Sequence, residues 1–398
     1  MDTQKKILVD LDNTAIAFEP KNDKELKETI FLFKMMNKAF LVNIGSKLTL
    51  FALKIRLPIQ GIIKRTVFKQ FCGGTSLKNC IPNIRHLAEY QVATVLDYGA
   101  EAKSTEAEFD QAVLEFLKAI QFAAENDTVP VVTCKVTALA KFDLLEKITA
   151  KKELSKAEKG AWERTQKRMH TICREAQQLG VAIFIDAEES WIQDAIDELT
   201  NLMMANYNKE RIAVYNTFQM YRHDRLEYLR TSFEQAQKEG YILGAKLVRG
   251  AYMEKERNRA AEHGYPSPIQ PNKASSDRDY DAAVKLCVEN YKQIASCLAS
   301  HNKKSTLYQL ELMQELEIPK NHPHLNFCQL YGMSDNLTFN LAKAGYNVAK
   351  YVPYGPIRDV MPYLIRRAQE NSAVGGEVSR ELGLLRKEQK RRRQSKKK

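Results

Sequence analysis

Three groups of residues in this chain could do chemistry. The first is Asp10-Leu11-Asp12-Asn13-Thr14, at the end of the apolar run 7–9. A D-x-D-x-T order suits phosphoryl transfer, with the first Asp attacking phosphorus and the second handling the leaving-group proton. A phosphatase would also need a Ser or Thr at a later strand end, a Lys and a paired-Asp motif, all on a doubly wound sheet. The second group is Lys246 and Arg249 in GAKLVRGAY (244–252). Period two puts them on opposite faces of a strand unless the strand is ending. Two cations there could surround an anionic ligand or an electron-rich ring, or be solvated. The third group is Arg366, Arg367 and Glu370 in MPYLIRRAQEN (361–371). On a helix the two arginines point about 100° apart. Their long side chains can still converge on one carboxylate, which the planar guanidinium fork suits. Glu370 stands four residues beyond Arg366, the spacing of a helical ion pair.

Other chemistries find less support. The acidic stretch at Asp186, Glu188 and Glu189 has no His or Asp partner at metal-ligand spacing, so no metal is expected. No G-x-G-x-x-G and no G-x-x-x-x-G-K-[ST] occurs, which argues against a Rossmann-type dinucleotide site and a P-loop. The glycine pairs at 73–74 and 375–376 read as turns. The seven cysteines show no C-x-x-C spacing, which fits a reducing compartment. The net charge is +12, but residues 386–398 hold nine Lys or Arg and one Glu, leaving only +4 for the other 385 residues. The basic character is therefore a tail, expected to be disordered and able to approach an anionic membrane surface. No aromatic residues interleave its charges, so nucleic acid is not an expected partner. No run of 18 apolar residues occurs. The first residues, with Asp2, Lys5, Lys6, Asp10 and Asp12, resemble neither a signal nor a transit peptide. A cytoplasmic location is expected, at the inner face of the cytoplasmic membrane where the tail meets lipid.

Elements must hold these residues in place. Short β-branched or apolar runs occur at 93–101, 129–139, 181–190, 211–220, 242–252, 296–302, 326–332 and 347–355. Between them lie stretches such as 106–125 and 190–207, with apolar residues at three- and four-residue intervals. Strand and helix alternating eight times predict an α/β fold, a (β/α)8 TIM-type barrel. Polar residues close each strand: Asp97 and Glu101, Lys135, Asp186, Asn216 and Gln219, Arg249 and Tyr252, His301 and Asn302, Gln329, Tyr351. Barrel enzymes build their sites at that C-terminal rim. Residues 1–90 read as an N-terminal helical arm, including a basic amphipathic stretch at 41–71 that could pack on the barrel or meet a membrane. The barrel then covers 91–385, with 141–179 as an exposed helical insertion, and the tail takes 386–398.

The ordered set KLVRGAY, IDAEES, ASHN, YVPYG and YLIRRAQEN resembles proline dehydrogenase in its single-function form, from about residue 93 to 373, and VLDYGAEAK (95–103) matches as well. The resemblance implies a distorted (β/α)8 barrel with non-covalent FAD at the C-terminal rim. It also implies oxidation of L-proline to Δ1-pyrroline-5-carboxylate, by hydride transfer from C5 to flavin N5, with electrons passed to a membrane quinone. Residue by residue, Arg366 and Arg367 resemble the pair that grips the proline carboxylate, and Glu370 the acid that steadies them. Tyr351 and Tyr363 are similar to aromatics lining the substrate ring; Leu247, Ala251 and Tyr252 match further pocket positions. Lys135 matches a cation between substrate and flavin, and Asp186 its neighbouring carboxylate. Asn216 falls where bacterial relatives often carry Gln near the flavin, and Lys246 where many carry Arg beside N5. Arg249 and Gly250 belong to the same cofactor-side motif. Lys273, Ser276, His301 and Asn302 match positions around the cofactor's phosphate and adenosine portions, and Glu101 an acid that pairs with an active-site Arg. Hydroxyproline dehydrogenase on the same scaffold is the nearest alternative, although Tyr351 leaves less room for a ring hydroxyl. Asp10 and Asp12 lie outside the eightfold repeat, which leaves the phosphatase reading remote.

Overall fold

The computed structural model describes residues 9–38, 60–99, 103–373 and 377–396, with the single positions 40, 45 and 55. Eight strands run in chain order around a closed parallel barrel: β1 (Ala93–Tyr98), β2 (Val131–Cys134), β3 (Ala182–Ile185), β4 (Val214–Gln219), β5 (Leu243–Val248), β6 (Ile294–Ala299), β7 (Leu325–Leu330) and β8 (Val348–Tyr354). All eight lie where the apolar runs predict. Most of each strand is buried, as expected when helices cover a parallel sheet.

Helices fill the connections. The chain has two compact units, residues 95–328 and residues 1–94 with 329–398. The first contains α4 (Glu106–Ala124), α5 (Phe142–Thr149), α6 (Lys156–Leu179), α7 (Ser190–Tyr207), α8 (Arg225–Glu239), α9 (Met253–His263), α10 (Lys273–Glu289) and α11 (Lys303–Glu315). The insertion 141–179 is the pair α5 and α6. It is less exposed than expected, since α6 buries Met169, Ile172, Cys173 and Ala176. Its start is set by a capping box of Ser155 and Glu158.

The second unit contains α1 (Thr14–Ala17), α2 (Asp23–Met36), a helical run over 60–71, α3 (Leu77–Glu89), α12 (Asp335–Lys343), α13 (Ile357–Ala373) and α14 (Glu377–Ser395). The helical arm is thus present, while residues 41–59 of its amphipathic stretch lie, apart from positions 45 and 55, outside the described residues. The basic tail is not disordered to Ser395: it continues α14. Part of its charge is spent internally. Glu388 is fully buried and accepts from Arg391 and Arg392 at 2.8 Å, and Arg392 also donates to the carbonyls of Phe18 and Lys21 at 2.7 and 2.8 Å. Leu382 and Leu385 add an apolar face.

Asp10 precedes a turn rather than ending a strand. Asn13 caps α1, accepting from the N–H groups of Ala15 and Ile16, and the Leu11 carbonyl accepts from Asn336 at 2.9 Å. The D-x-D-x-T stretch is a helix lead-in. The glycines at 73–74 form no free turn: Gly74 makes a parallel bridge with Tyr354, and a Cβ at Gly73 would fall 2.4 Å from Val352. Gly375 and Gly376 lie outside the described residues.

Candidate active site

Four charged side chains from four strands of the first unit meet at the C-terminal rim. Asp186, just beyond β3, accepts from Lys135 at 2.9 Å and from Lys246 of β5 at 2.5 Å. Lys135 also lies 3.8 Å from Asp97 of β1, which accepts from Thr133 at 2.7 Å. Burial opposes a charged Asp186, but the two ammonium groups outweigh it and hold its carboxyl well below the usual range. The Lys246 ammonium also sits 5.5 Å from the centre of the Phe184 ring. The sequence separates Lys135 from Lys246 by 111 positions; only the parallel register brings them onto one carboxylate.

Alternation decides which strand residues face this cluster. Lys246 pairs in register with Thr217, so Gln219, two residues on, shares its face. Gln219 is 2% exposed; its amide donates to the Glu188 carbonyl at 3.1 Å, while its side-chain oxygen has no partner among the described residues. Asn216 lies on the other face. It donates to Asp197 of α7 at 2.9 Å, in the helix layer, with Asp197 also bound by Arg225. Asn216 thus faces the helix layer, while Gln219 shares the face of Lys246. Leu247 likewise lies opposite Lys246, in register with Phe218, whose ring packs on Tyr228 of α8. It is not brought to the cluster. Glu188 was passed over in the sequence. Both its oxygens hold Thr137, one on the backbone N–H at 3.2 Å and one on the hydroxyl at 2.6 Å, which fixes the turn that follows Lys135. Burial, only partly offset by these bonds and by Lys135, raises its pKa to about 7.

A second cluster centres on Arg249, whose guanidinium donates to Asp277 at 2.7 Å, Ser300 at 2.8 Å and Ser305 at 3.0 Å, and stacks 4.2 Å from the Tyr280 ring centre. Lys273 joins through Asp277. Asn302 caps α11 and its N–H donates to Ser300; Ser276 lies in the first turns of α10, and His301 is half-buried beside Ser300. Gly250 has φ +141°, and a Cβ there would lie 2.3 Å from the Tyr221 ring, so only glycine lets the chain leave β5 this way. Ala251 follows, and Tyr252 begins α9, which is fastened by the fully buried Glu256 accepting from the N–H and hydroxyl of Ser190, each at 2.6 Å.

In the second unit, Tyr351 is buried on β8, and α13 carries Tyr363, Arg366 and Arg367, all half-buried. The Arg367 guanidinium lies 5.5 Å from the Tyr363 ring centre, a cation–π distance. Glu370 falls on α13, but its side chain lies outside the described residues, as does Glu101.

Residues 80–380 match the family model described as Proline dehydrogenase. The chain belongs to the proline dehydrogenase family. It is 39% identical over 236 residues to Proline dehydrogenase 1, mitochondrial, of Drosophila melanogaster, covering 57% of this chain and 35% of that one. Hydroxyproline dehydrogenase of Xenopus laevis is 31% identical over 414 residues, covering 94% of this chain and 89% of that one. Among solved structures, proline utilization A (PutA) from Bdellovibrio bacteriovorus inactivated by N-propargylglycine matches with TM-score 0.69 and 24% identity, covering 90% of this chain and 38% of that chain. That likeness supports the barrel. A flavin, as the family implies, suits the residues present in this proline dehydrogenase relative. The unpartnered oxygen of Gln219 is a buried acceptor awaiting an N–H donor, on the face that carries Lys246.

Proposed function

We propose that this chain oxidises L-proline to Δ1-pyrroline-5-carboxylate with non-covalent FAD, passing electrons to a membrane quinone. The observation that carries this reading is the convergence of Lys135 and Lys246 on Asp186 at the barrel rim. FAD, when bound, supplies the acceptor for hydride from C5 of proline. Lys246, Gln219 and Arg249 would hold it, with Lys273, Ser276, His301 and Asn302 toward its phosphate and adenosine portions. Lys246 and Lys135 place positive charge where electron density builds, and Asp186 keeps both ammonium groups oriented. Arg366 and Arg367 grip the proline carboxylate and Tyr351 and Tyr363 line its ring, so the substrate arrives oriented. Cations near the substrate amine favour its neutral form, the form that must lose hydride.

The absorption spectrum of the purified chain tests the assignment. A yellow protein that bleaches on adding proline is expected; a colourless one, or a flavin that proline leaves oxidised, overturns it. Hydroxyproline is the second substrate to try, because the Xenopus relative spans nearly the whole chain. Tyr351 favours proline, and comparing bleaching rates on the two substrates decides between them.

A further inference from the structure

Helix α9 leaves the end of β5 with little to hold it by apolar packing. Only Glu256 and Ala260 of its 11 residues are buried, and a helix without an apolar stripe must be fastened by polar contacts. It lies between Gly250, with φ +141°, and Gly264, with φ +70°. Its outer fasteners are weak. Lys255 pairs with Glu189 and stands 5.5 Å from the centre of the Trp191 ring; Arg259 pairs with Glu146 of α5 and stands 4.3 Å from the same ring. Both cations reach solvent, where such pairs contribute little.

Glu256 is the inner fastener. Its two carboxyl oxygens, fully buried, accept from the N–H and the hydroxyl of Ser190 at 2.6 Å each. Ser190 is the first residue of α7 and closes the short loop 186–190, which begins with Asp186. In the same loop the Glu188 carbonyl accepts from the Gln219 amide, and the Glu188 side chain holds Thr137. Glu256 also lies beside Tyr221: burial first, and then Glu256, push the Tyr221 phenol up. Tyr221 is the ring that leaves no room for a Cβ at Gly250. One buried side chain thus meets the loop that carries Asp186, the turn that follows Gln219 and the chain that leaves the strand of Lys246.

We propose that Glu256 is a positioning residue: bound to Ser190, it makes α9 and the Asp186 loop one body, so that Tyr252 at the start of α9 keeps a fixed place relative to Lys135, Lys246 and Asp186. The proposal deepens the function above and rests on it for its effect on turnover. Amide hydrogen exchange and steady-state kinetics on the flavin-loaded chain test it. Ser190→Ala keeps the N–H donor and removes the hydroxyl. It should speed exchange over 186–190 and 253–263 together and leave 294–330 unchanged. It should also lower kcat for proline about tenfold, the cost of a slightly displaced site. KM should change little, because the arginine pair assigned to the carboxylate lies on α13. Glu256→Ala removes both bonds and should lower kcat on the order of 100-fold. Ser190→Thr keeps both donors and should restore exchange and turnover. Undiminished kcat in Ser190→Ala, faster exchange in α9 alone, or protection lost evenly over the barrel overturns the proposal. So does a raised KM with kcat unchanged. A wild-type chain that proline does not bleach, but whose two segments lose protection together in Ser190→Ala, keeps the fastening and removes the enzyme assignment.

Discussion

Two buried aspartates in this molecule each sit between two lysines. Asp186 is held by Lys135 and Lys246 in one unit; Asp335 is held by Lys21 at 3.1 Å and Lys350 at 2.9 Å in the other. Burial disfavours the charge on both carboxylates, and in both the paired ammonium groups outweigh it and press the carboxyl well below its usual range. Their surroundings differ. Asp335 stands in the first turn of α12, where the helix dipole also favours a negative charge. Lys350, 1% exposed, donates further to the Met333 carbonyl, and Glu381 of α14 accepts from the Ser334 N–H at 3.0 Å. That cluster ties the arm and the C-terminal helix to α12 and β8. The Asp186 cluster gathers residues from β1, β2, β3 and β5, with a Gln219 oxygen of β4 on the same face that has no partner among the described residues. The charge pattern is the same in both; position at the strand ends is what marks a site for a ligand.

The largest expected effect separates the two. Asp186→Asn should cost proline turnover about 100-fold, since Lys135 and Lys246 lose the group that orients them. Asp335→Asn should leave turnover of the folded protein nearly intact while lowering stability by about 3 kcal/mol or more, the cost of stranding buried cations. Dye-coupled turnover and thermal melting on both variants check this. Similar turnover in the two would erase the distinction. Arg366→Met comes next: the KM for proline should rise on the order of 100-fold, as expected for a lost charged hydrogen bond, while the flavin spectrum is retained. An unchanged KM would remove the carboxylate clamp from the substrate assignment.

The architecture was legible because apolar runs, polar strand ends and helical spacing recur eight times. The site was legible in part. Lys135, Asp186 and Arg249 follow the ends of β2, β3 and β5, where the sequence puts them, and Lys246 lies within β5, in the motif GAKLVRGAY. Asn216 was preferred to Gln219 because the sequence does not show which residue of β4 faces inward; only pairing with Lys246 settles that parity. The same parity puts Leu247 on the face opposite Lys246. The tail was misjudged because a run of like charges hides Glu388, whose burial turns two of those arginines into internal partners.

Glu188→Gln gives a smaller effect. The amide keeps an acceptor for Thr137 but cannot ionise, so turnover should fall about tenfold or less, and any inflection near pH 7 in the wild-type profile should flatten. An unaltered profile would detach Glu188 from the Lys135 turn.

Glu381 sharpens the structural half of the comparison. Burial first, and then Asp335, lift its pKa to about 7 against the ordinary 4.5, outweighing Arg380, Lys350 and the Ser334 bond. A carboxyl with a raised folded-state pKa contributes stability that is full below about pH 4.5 and lost as pH rises through about 7. Wild-type melting temperature should therefore fall between about pH 5 and about pH 8, and Glu381→Gln should remove part of that fall, on the order of 3 kcal/mol. Equal slopes in the two proteins would exclude Glu381 as its source.

The smallest effect belongs to Asp10. Its side chain is exposed and accepts from the Asp12 N–H at 3.0 Å, while Asn13 does the capping of α1. Asp10→Asn keeps the accepting oxygen and removes only the charge. Proline turnover should stay within about twofold of wild type, as for most surface changes away from buried networks. A phosphatase nucleophile could not tolerate that change. Loss of activity on Asp10→Asn would mean that the N-terminal lead-in reaches the chemistry, and that position at a strand end is not the rule this molecule follows.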